Sequence, residues 1–266
     1  MACRHARPAE YDFFKTMTVF FAVVVPFVAL PLFILSEFVH VPRMEPPYVR
    51  IQDADPVFSR YSPNQFPNGT EIGYSRYVVS AMKEMGLSLD HFDAWISEHC
   101  ESAIKHIKYM PSSMQKDVAS IALFIRKSNY RIDAKTAWRE AAALVHYSGK
   151  YGVPSALTTA VAAAESTFNP NALSSKGASG VMQVMWNIHN GLLRSNGIKA
   201  MPGKNPLADP EHAIAAGCLL LSRYIRACGS VQKAMDRYYG ANSANYRRKI
   251  NVNIAKLMTH RSNLFD

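Results

Sequence analysis

Cysteine is scarce in this chain, and its placement excludes the chemistry it most often carries. Cys3, Cys100, Cys218 and Cys228 form no C-x-x-C pair and have no histidine at metal-ligand spacing beside them, so no metal site and no cofactor are expected. Cys218 and Cys228 stand ten positions apart in what reads as one helix. On a straight helix that separation is ~15 Å, too far for a disulfide, so both read as thiols. Repeats, low-complexity tracts and strand-like alternation are also missing, which excludes repeat arrays and β architectures. Acidic residues run short in the second half. After Glu165 there are thirteen Lys and Arg against four Asp and Glu, and this accounts for most of the net charge of +10. Such a field suits an anionic polymer or surface, and charge by itself does not choose among nucleic acid, acidic lipid and carboxylate-bearing polymer.

Charge is absent altogether from residues 16–36, where the run MTVFFAVVVPFVALPLFIL is long enough to cross a bilayer as a helix. Pro26 and Pro31 weaken it only locally, since membrane helices tolerate proline. A cleavable signal peptide is the rival reading, but the apolar stretch is longer than a signal core and no A-x-A site ends it. Arg4, Arg7 and Lys15 precede the run, whereas Glu37 and Glu45 offset Arg43 after it. The positive-inside rule therefore places residues 1–15 in the cytoplasm and everything after the anchor outside. That placement removes nucleic acid as the expected partner of the basic region.

Residues 37–70 carry six prolines between Pro42 and Pro67 and read as an extended linker. Beyond it the apolar spacing is helical. Met114, Val118, Ile121, Ala122 and Ile125 share one stripe, and Ala137, Ala141, Leu144, Val145 and Ser148 share another. Helix starts are expected at Pro154, at Asp209-Pro210 and at Ser230. The fold class is all-α, with residues 71–135 either a small helical unit or an extension packed on the domain that follows.

The helix beginning near Pro154 places Glu165 on one stripe with Ala162, Val161, Thr158 and Leu157. A carboxyl facing an apolar surface has a raised pKa, the condition for a general acid near neutral pH. Ser166-Thr-Phe-Asn169-Pro170 follows, and then Gly177-Ala-Ser-Gly180-Val181-Met182-Gln183. In order and spacing these segments resemble the lytic transglycosylase family, whose catalytic Glu ends a helix, is followed by Ser and an Asn-Pro turn, and faces a Gly-Ala-x-Gly-x-Met-Gln segment lining a sugar cleft. Asn205-Pro206 to Leu221 and Arg237-Tyr238-Tyr239-Gly240 extend the likeness, which covers roughly residues 137–254. It departs from the family at Tyr239, which replaces an Asn, at a missing Gly-Pro, and at Trp186, where a Pro is usual.

The resemblance implies a lysozyme-like helical domain over 136–258, a tail at 259–266, and cleavage of the β-1,4 bond between N-acetylmuramic acid and N-acetylglucosamine with closure of a 1,6-anhydro ring. Glu165 would be acid and then base, and Tyr238 would hydrogen-bond and orient it. Ser166, Gly180, Val181, Met182, Gln183, Tyr239 and Tyr246 would contact substrate, with Gln183 suited to an N-acetyl group or a hydroxyl. Ordinary glycosidases use two carboxylates. No Asp or Glu lies between Glu165 and Asp209, and Asp209, Glu211 and Asp236 remain as candidates. Expected partners are glycan strands, the bacterial inner membrane through residues 16–36 and, by likeness to small specialised transglycosylases, a secretion or conjugation apparatus. A goose-type lysozyme-like hydrolase and an inactive wall-binding factor are the alternatives.

Overall fold

The computed structural model describes residues 73–99 and 102–264. The anchor at 16–36 and the linker at 37–70 lie outside these residues. Among the described residues no helix is long and apolar enough to cross a membrane.

The helices are α1 (Arg76–Glu84), α2 (Leu89–Glu98), a 3₁₀ segment (Ala103–Tyr109), α3 (Ser112–Ser128), α4 (Ala134–Tyr151) and α5 (Ser155–Glu165), then, after a small ribbon, α6 (Trp186–Ser195), α7 (Pro210–Cys228), α8 (Val231–Tyr239) and α9 (Ala244–Leu264). Their ends follow local chemistry. Asp133, Asp209 and Ser230 accept from the backbone N–H three residues on and so cap α4, α7 and α8. Pro210 takes the first-turn position, where its missing N–H costs nothing. The starts expected near Pro154, Asp209 and Ser230 are all present.

The two predicted stripes are the inner faces of α3 and α4. Val118, Ile121, Ala122 and Ile125 are buried on the first, with Met114 at its edge, and Ala137, Ala141, Leu144, Val145 and Ser148 on the second. Packed against each other, α3 and α4 form the middle of the molecule. On the other side of α4 lies α7, which also carries α8, while α9 runs along α5. Phe92 meets Trp138 edge-on at 5.2 Å, joining α2 to this core.

The segment before residue 135 belongs to the same compact unit as the rest, residues 67–266. One contact shows how it is held. Glu211, in the first turn of α7, is buried and accepts from the Ala103 N–H at 2.9 Å and from the Ser102 hydroxyl, so it caps the 3₁₀ segment from across the molecule. Helix α9 continues into the 259–266 segment, where Arg261 pairs with Asp117 of α3 at 3.4 Å. The all-α expectation needs one correction. Ala178–Ser179 pairs antiparallel with Val184–Met185, giving a ribbon of two residues per strand that is too short to leave any alternation in the sequence.

Glu140 on α4 is fully buried, and neither carboxyl oxygen has a hydrogen-bond partner. Burial, with the Asp133 charge, drives its pKa well above the ordinary 4.5, only partly opposed by Arg139. A carboxyl whose pKa is raised on folding destabilises the fold progressively as pH rises from the unfolded-chain value towards the folded one. Glu140→Met is therefore expected to stabilise the protein by about 1–3 kcal/mol at pH 8 and by much less at pH 4, as read from denaturant unfolding at the two pH values.

Candidate active site

Helix α5 is built to deliver one side chain to its end. Leu157, Thr158, Val161 and Ala162 are buried, and its alanines let α9 come close enough for Asn253 to donate to the Ala160 carbonyl at 3.2 Å and Lys249 to the Ala164 carbonyl. The last helical bond runs from the Ser166 N–H to the Ala162 carbonyl at 3.2 Å; Ser166 itself leaves helical dihedrals, and its hydroxyl donates to the Val181 carbonyl at 2.7 Å. Thr167 and Phe168 then take left-handed dihedrals, with φ of 52° and 62°. Such residues cost about 1–3 kcal/mol each. The compensation is visible: Phe168 is fully buried against Phe124, edge to face at 6.1 Å.

Glu165 is half-buried at this helix end. The Tyr246 hydroxyl, from the first turn of α9, donates to its Oε1 at 2.5 Å. Burial pushes the Glu165 pKa up. The Tyr246 hydrogen bond and the Lys249 charge pull it back only in part, so it stays above its ordinary value. Tyr246 is itself stacked on Tyr239, centroids 4.5 Å apart and planes at 18°. Tyr239 presents about half its surface to solvent and so offers an aromatic face beside the carboxyl.

The 172–185 segment folds over this helix end as a braced loop. Gly180 has φ of 74°, and a β-carbon there would run into the Leu207 carbonyl and come within 2.8 Å of the Ala213 β-carbon. Gly217 likewise leaves room for Met182, whose side-chain atoms would lie 2.6–2.7 Å from a β-carbon at that position. Gln183, also left-handed at φ 48°, uses its amide N–H groups on the Ala172 and Gly180 carbonyls, each at 3.0 Å.

Several sequence expectations change here. The tyrosine bonded to Glu165 is Tyr246, not Tyr238: the Tyr238 hydroxyl donates to the Met182 carbonyl at 2.8 Å, so Tyr238 holds the loop and not the carboxyl. The donors of Gln183 are engaged within its own loop, which makes it a brace before it is a substrate contact. Val181 and Met182 are fully buried and line the core, and Ser166 joins the helix end to the loop. Tyr246 is bonded to Glu165, and Tyr239 stacks on Tyr246. Trp186 is buried with Arg194 over its ring at 5.7 Å.

The three acids held as candidates for a second carboxylate all have structural partners. Asp209 caps α7 and pairs with Arg139 at 3.0 Å, Glu211 caps the 3₁₀ segment, and Asp236 binds Arg247 and the Ser243 N–H. Lys249 and Asn253 are the functional neighbours that sequence reasoning missed. Both fall one helical turn apart on the face of α9 that follows Tyr246, and that spacing is a signal only once α9 is known to lie on α5.

The site thus joins a carboxyl raised by burial at the end of α5, a tyrosine that holds it and a glycine-braced loop that faces it. Residues 143–256, under half of the chain, match the family model described as Transglycosylase SLT domain. Over 94 residues the chain is 35% identical to proteins called "Membrane-bound lytic murein transglycosylase C" from Yersinia pestis (strain Pestoides F) and Yersinia pseudotuberculosis serotype O:1b (strain IP 31758). The alignment takes in 35% of this chain and 26% of each relative, so the likeness spans about a quarter of the relatives' length.

Two outcomes follow from the geometry. Tyr246→Phe removes the hydrogen bond that favours the ionised carboxyl, so the Glu165 pKa should rise further. In a pH–rate profile the high-pH limb should move to higher pH while the maximum falls by roughly 10²-fold, because the carboxyl loses its orientation. Gly180→Ala, strained and blocked by backbone, should cost about 2–4 kcal/mol in denaturant unfolding.

Proposed function

We propose that the chain is a peptidoglycan lytic transglycosylase in which Glu165 is the sole acid–base residue. The observation that carries this reading is the pairing of a carboxyl raised by burial with the commitment of Asp209, Glu211 and Asp236 to caps and ion pairs. A site of that kind can supply and withdraw one proton, and it has no second carboxylate to activate water or form a covalent intermediate.

In this reading protonated Glu165 donates to the glycosidic oxygen as the bond to muramoyl C1 breaks. The substrate's own N-acetyl oxygen stabilises the developing cation. The Glu165 carboxylate then takes the proton of the muramoyl C6 hydroxyl as that oxygen bonds to C1, so the acid is regenerated and no water is consumed. Tyr246 orients the carboxyl through both steps, and Tyr239 offers a flat face on which a sugar ring can stack. The Ser166 and Gln183 braces keep the 172–185 loop against the helix end.

The uncharged run at 16–36 supports anchorage in the bacterial inner membrane with the catalytic domain in the periplasm, and the names of the relatives agree with membrane association. Local opening of the wall for an envelope-spanning apparatus is consistent with a single small catalytic unit. The test is digestion of purified peptidoglycan by the full chain, with mass spectrometry of the released fragments. Native protein should release 1,6-anhydromuramoyl products, lighter by one water than reducing-end products, and Glu165→Gln should lower their yield by about 10²–10⁴-fold. Hydrated products would instead make the protein a lysozyme-like hydrolase, and an undiminished Glu165→Gln variant would remove Glu165 from the chemistry.

A further inference from the structure

A cavity of about 530 Å³ lies between the turn that joins α3 to α4 and the chain that leaves Glu165. Its walls come from residues 128–136 on one side and 166–171 on the other, and Ser166, the neighbour of Glu165, lines it. The volume is of the order that holds a small ligand, roughly 300–1,000 Å³. The lining is unlike an apolar groove. Hydroxyl and amide side chains dominate it, among them Ser128, Asn129, Thr136, Thr167, Asn169 and Asn171.

The two walls are fixed relative to each other. Asn129 donates from its side chain to the Thr167 carbonyl at 2.8 Å and accepts from the Arg131 N–H at 3.2 Å. Thr167 is one of the two left-handed residues after Glu165, and buried Phe168 anchors the other. Any group seated in the cavity is therefore held near Glu165, since one wall begins at Ser166 and Asn129 ties the other to Thr167.

The charged groups at the mouth decide what would sit there. The Arg131 side chain is exposed and pairs with no carboxylate among the described residues; its guanidinium lies 5.9 Å from the centre of the Tyr130 ring. Tyr130 is 77% exposed, far more than an aromatic with only packing to do. Asp133, also at the mouth, uses both oxygens on Thr136. The cavity thus offers one unmatched guanidinium beside an aromatic face, backed by amides that can both donate and accept. An Arg fork is suited to a carboxylate, and side-chain amides to peptide groups. A bare sugar, with hydroxyls alone, would leave the guanidinium unused.

We propose that this cavity binds the carboxylate-bearing peptide that hangs from the glycan strand next to the scissile bond, with Arg131 as the carboxylate contact. The proposal rests on the peptidoglycan reading of the Glu165 site. It makes Arg131 a specificity residue: it distinguishes strands that carry peptides from strands whose peptides have been removed. The muramoyl lactyl carboxylate, which becomes free when the peptide is stripped, is the other source of the same chemistry, and it is too short an extension from the sugar to use the amide wall as well.

The experiment compares full-length native protein, Arg131→Ala and Arg131→Lys on two forms of the same glycan, one with its peptides and one stripped by an amidase. Arg131 is a surface side chain, so the variants should fold, and thermal unfolding checks this. The expected result is a kcat/KM about tenfold higher for the peptide-bearing strand in the native protein, lost in Arg131→Ala and partly kept in Arg131→Lys, with all three alike on the stripped strand. Equal losses on both strands would transfer the Arg131 contact to the lactyl carboxylate or the sugar, and no change on either would empty the cavity of a role; each overturns the proposal. Calorimetric titration of full-length Glu165→Gln, with and without the Arg131→Ala change, using a disaccharide-tetrapeptide and the peptide-free disaccharide, separates this from the Glu165 reading. If native protein cleaves neither strand, the transglycosylase reading fails, while tighter binding of the tetrapeptide form that depends on Arg131 would keep the site and equal binding of the two ligands would discard it.

Discussion

The hydrogen bond from Tyr246 to Glu165 joins side chains 81 residues apart, and the arrangement of the C-terminal half follows from making it possible. For that hydroxyl to reach the carboxyl, α9 must lie along α5 with its first turn level with the last turn of α5. The small side chains of α5 permit the approach, and Lys249 and Asn253 satisfy carbonyls along the same seam. Tyr246 is buried there, so its position is set by packing as well as by the bond. Upstream, the turn from α8 into α9 is held by Asp236, which binds both the Ser243 N–H and Arg247. Without that turn Tyr246 would not enter α9 at the right height.

The electrostatics of the site come from the same packing. Burial disfavours the charged carboxylate, whereas one hydroxyl and one ammonium nearby favour it, and the balance leaves Glu165 easier to protonate than a carboxyl in water. A raised pKa favours the protonated form that a proton donor needs. Asp209, Glu211 and Asp236 are spent on architecture. Asp209 and Glu211, two residues apart, are a cap for one helix and a cap for a segment more than a hundred residues earlier. The excess of cations after Glu165 is thus partly a consequence of having few acids, nearly all in structural use.

What could be read from the sequence was whatever depends on neighbours within one or two helical turns. The stripes of α3 and α4, the helix starts at Pro154, Asp209 and Ser230, and the apolar face carrying Glu165 are local patterns, and each has its structural counterpart. The choice between Tyr238 and Tyr246 was not local. Both are aromatic, both follow α7, and only the angle of the turn at Gly240–Ser243 decides which hydroxyl meets the carboxyl and which meets the Met182 carbonyl. The bracing bonds of Gln183 are hidden for a similar reason: its left-handed backbone turns its amide N–H groups into its own loop, and a dihedral of that sign at a non-glycine residue leaves no mark in composition. The role of Glu211 was hidden because its partner, the start of the 3₁₀ segment, is distant in sequence.

The central proposal is that a single carboxyl, its pKa raised by burial and its side chain steered by Tyr246, does the chemistry. Direct titration of the Glu165 side-chain carboxyl by carbon-13 NMR in the native protein tests it without substrate. The account predicts a midpoint above the ordinary 4.5 of a glutamate, with the Tyr246 hydroxyl responding at the same pH. A midpoint at or below 4.5 would mean that the site holds an ordinary ionised carboxylate, unable to act as the proton donor assigned to it.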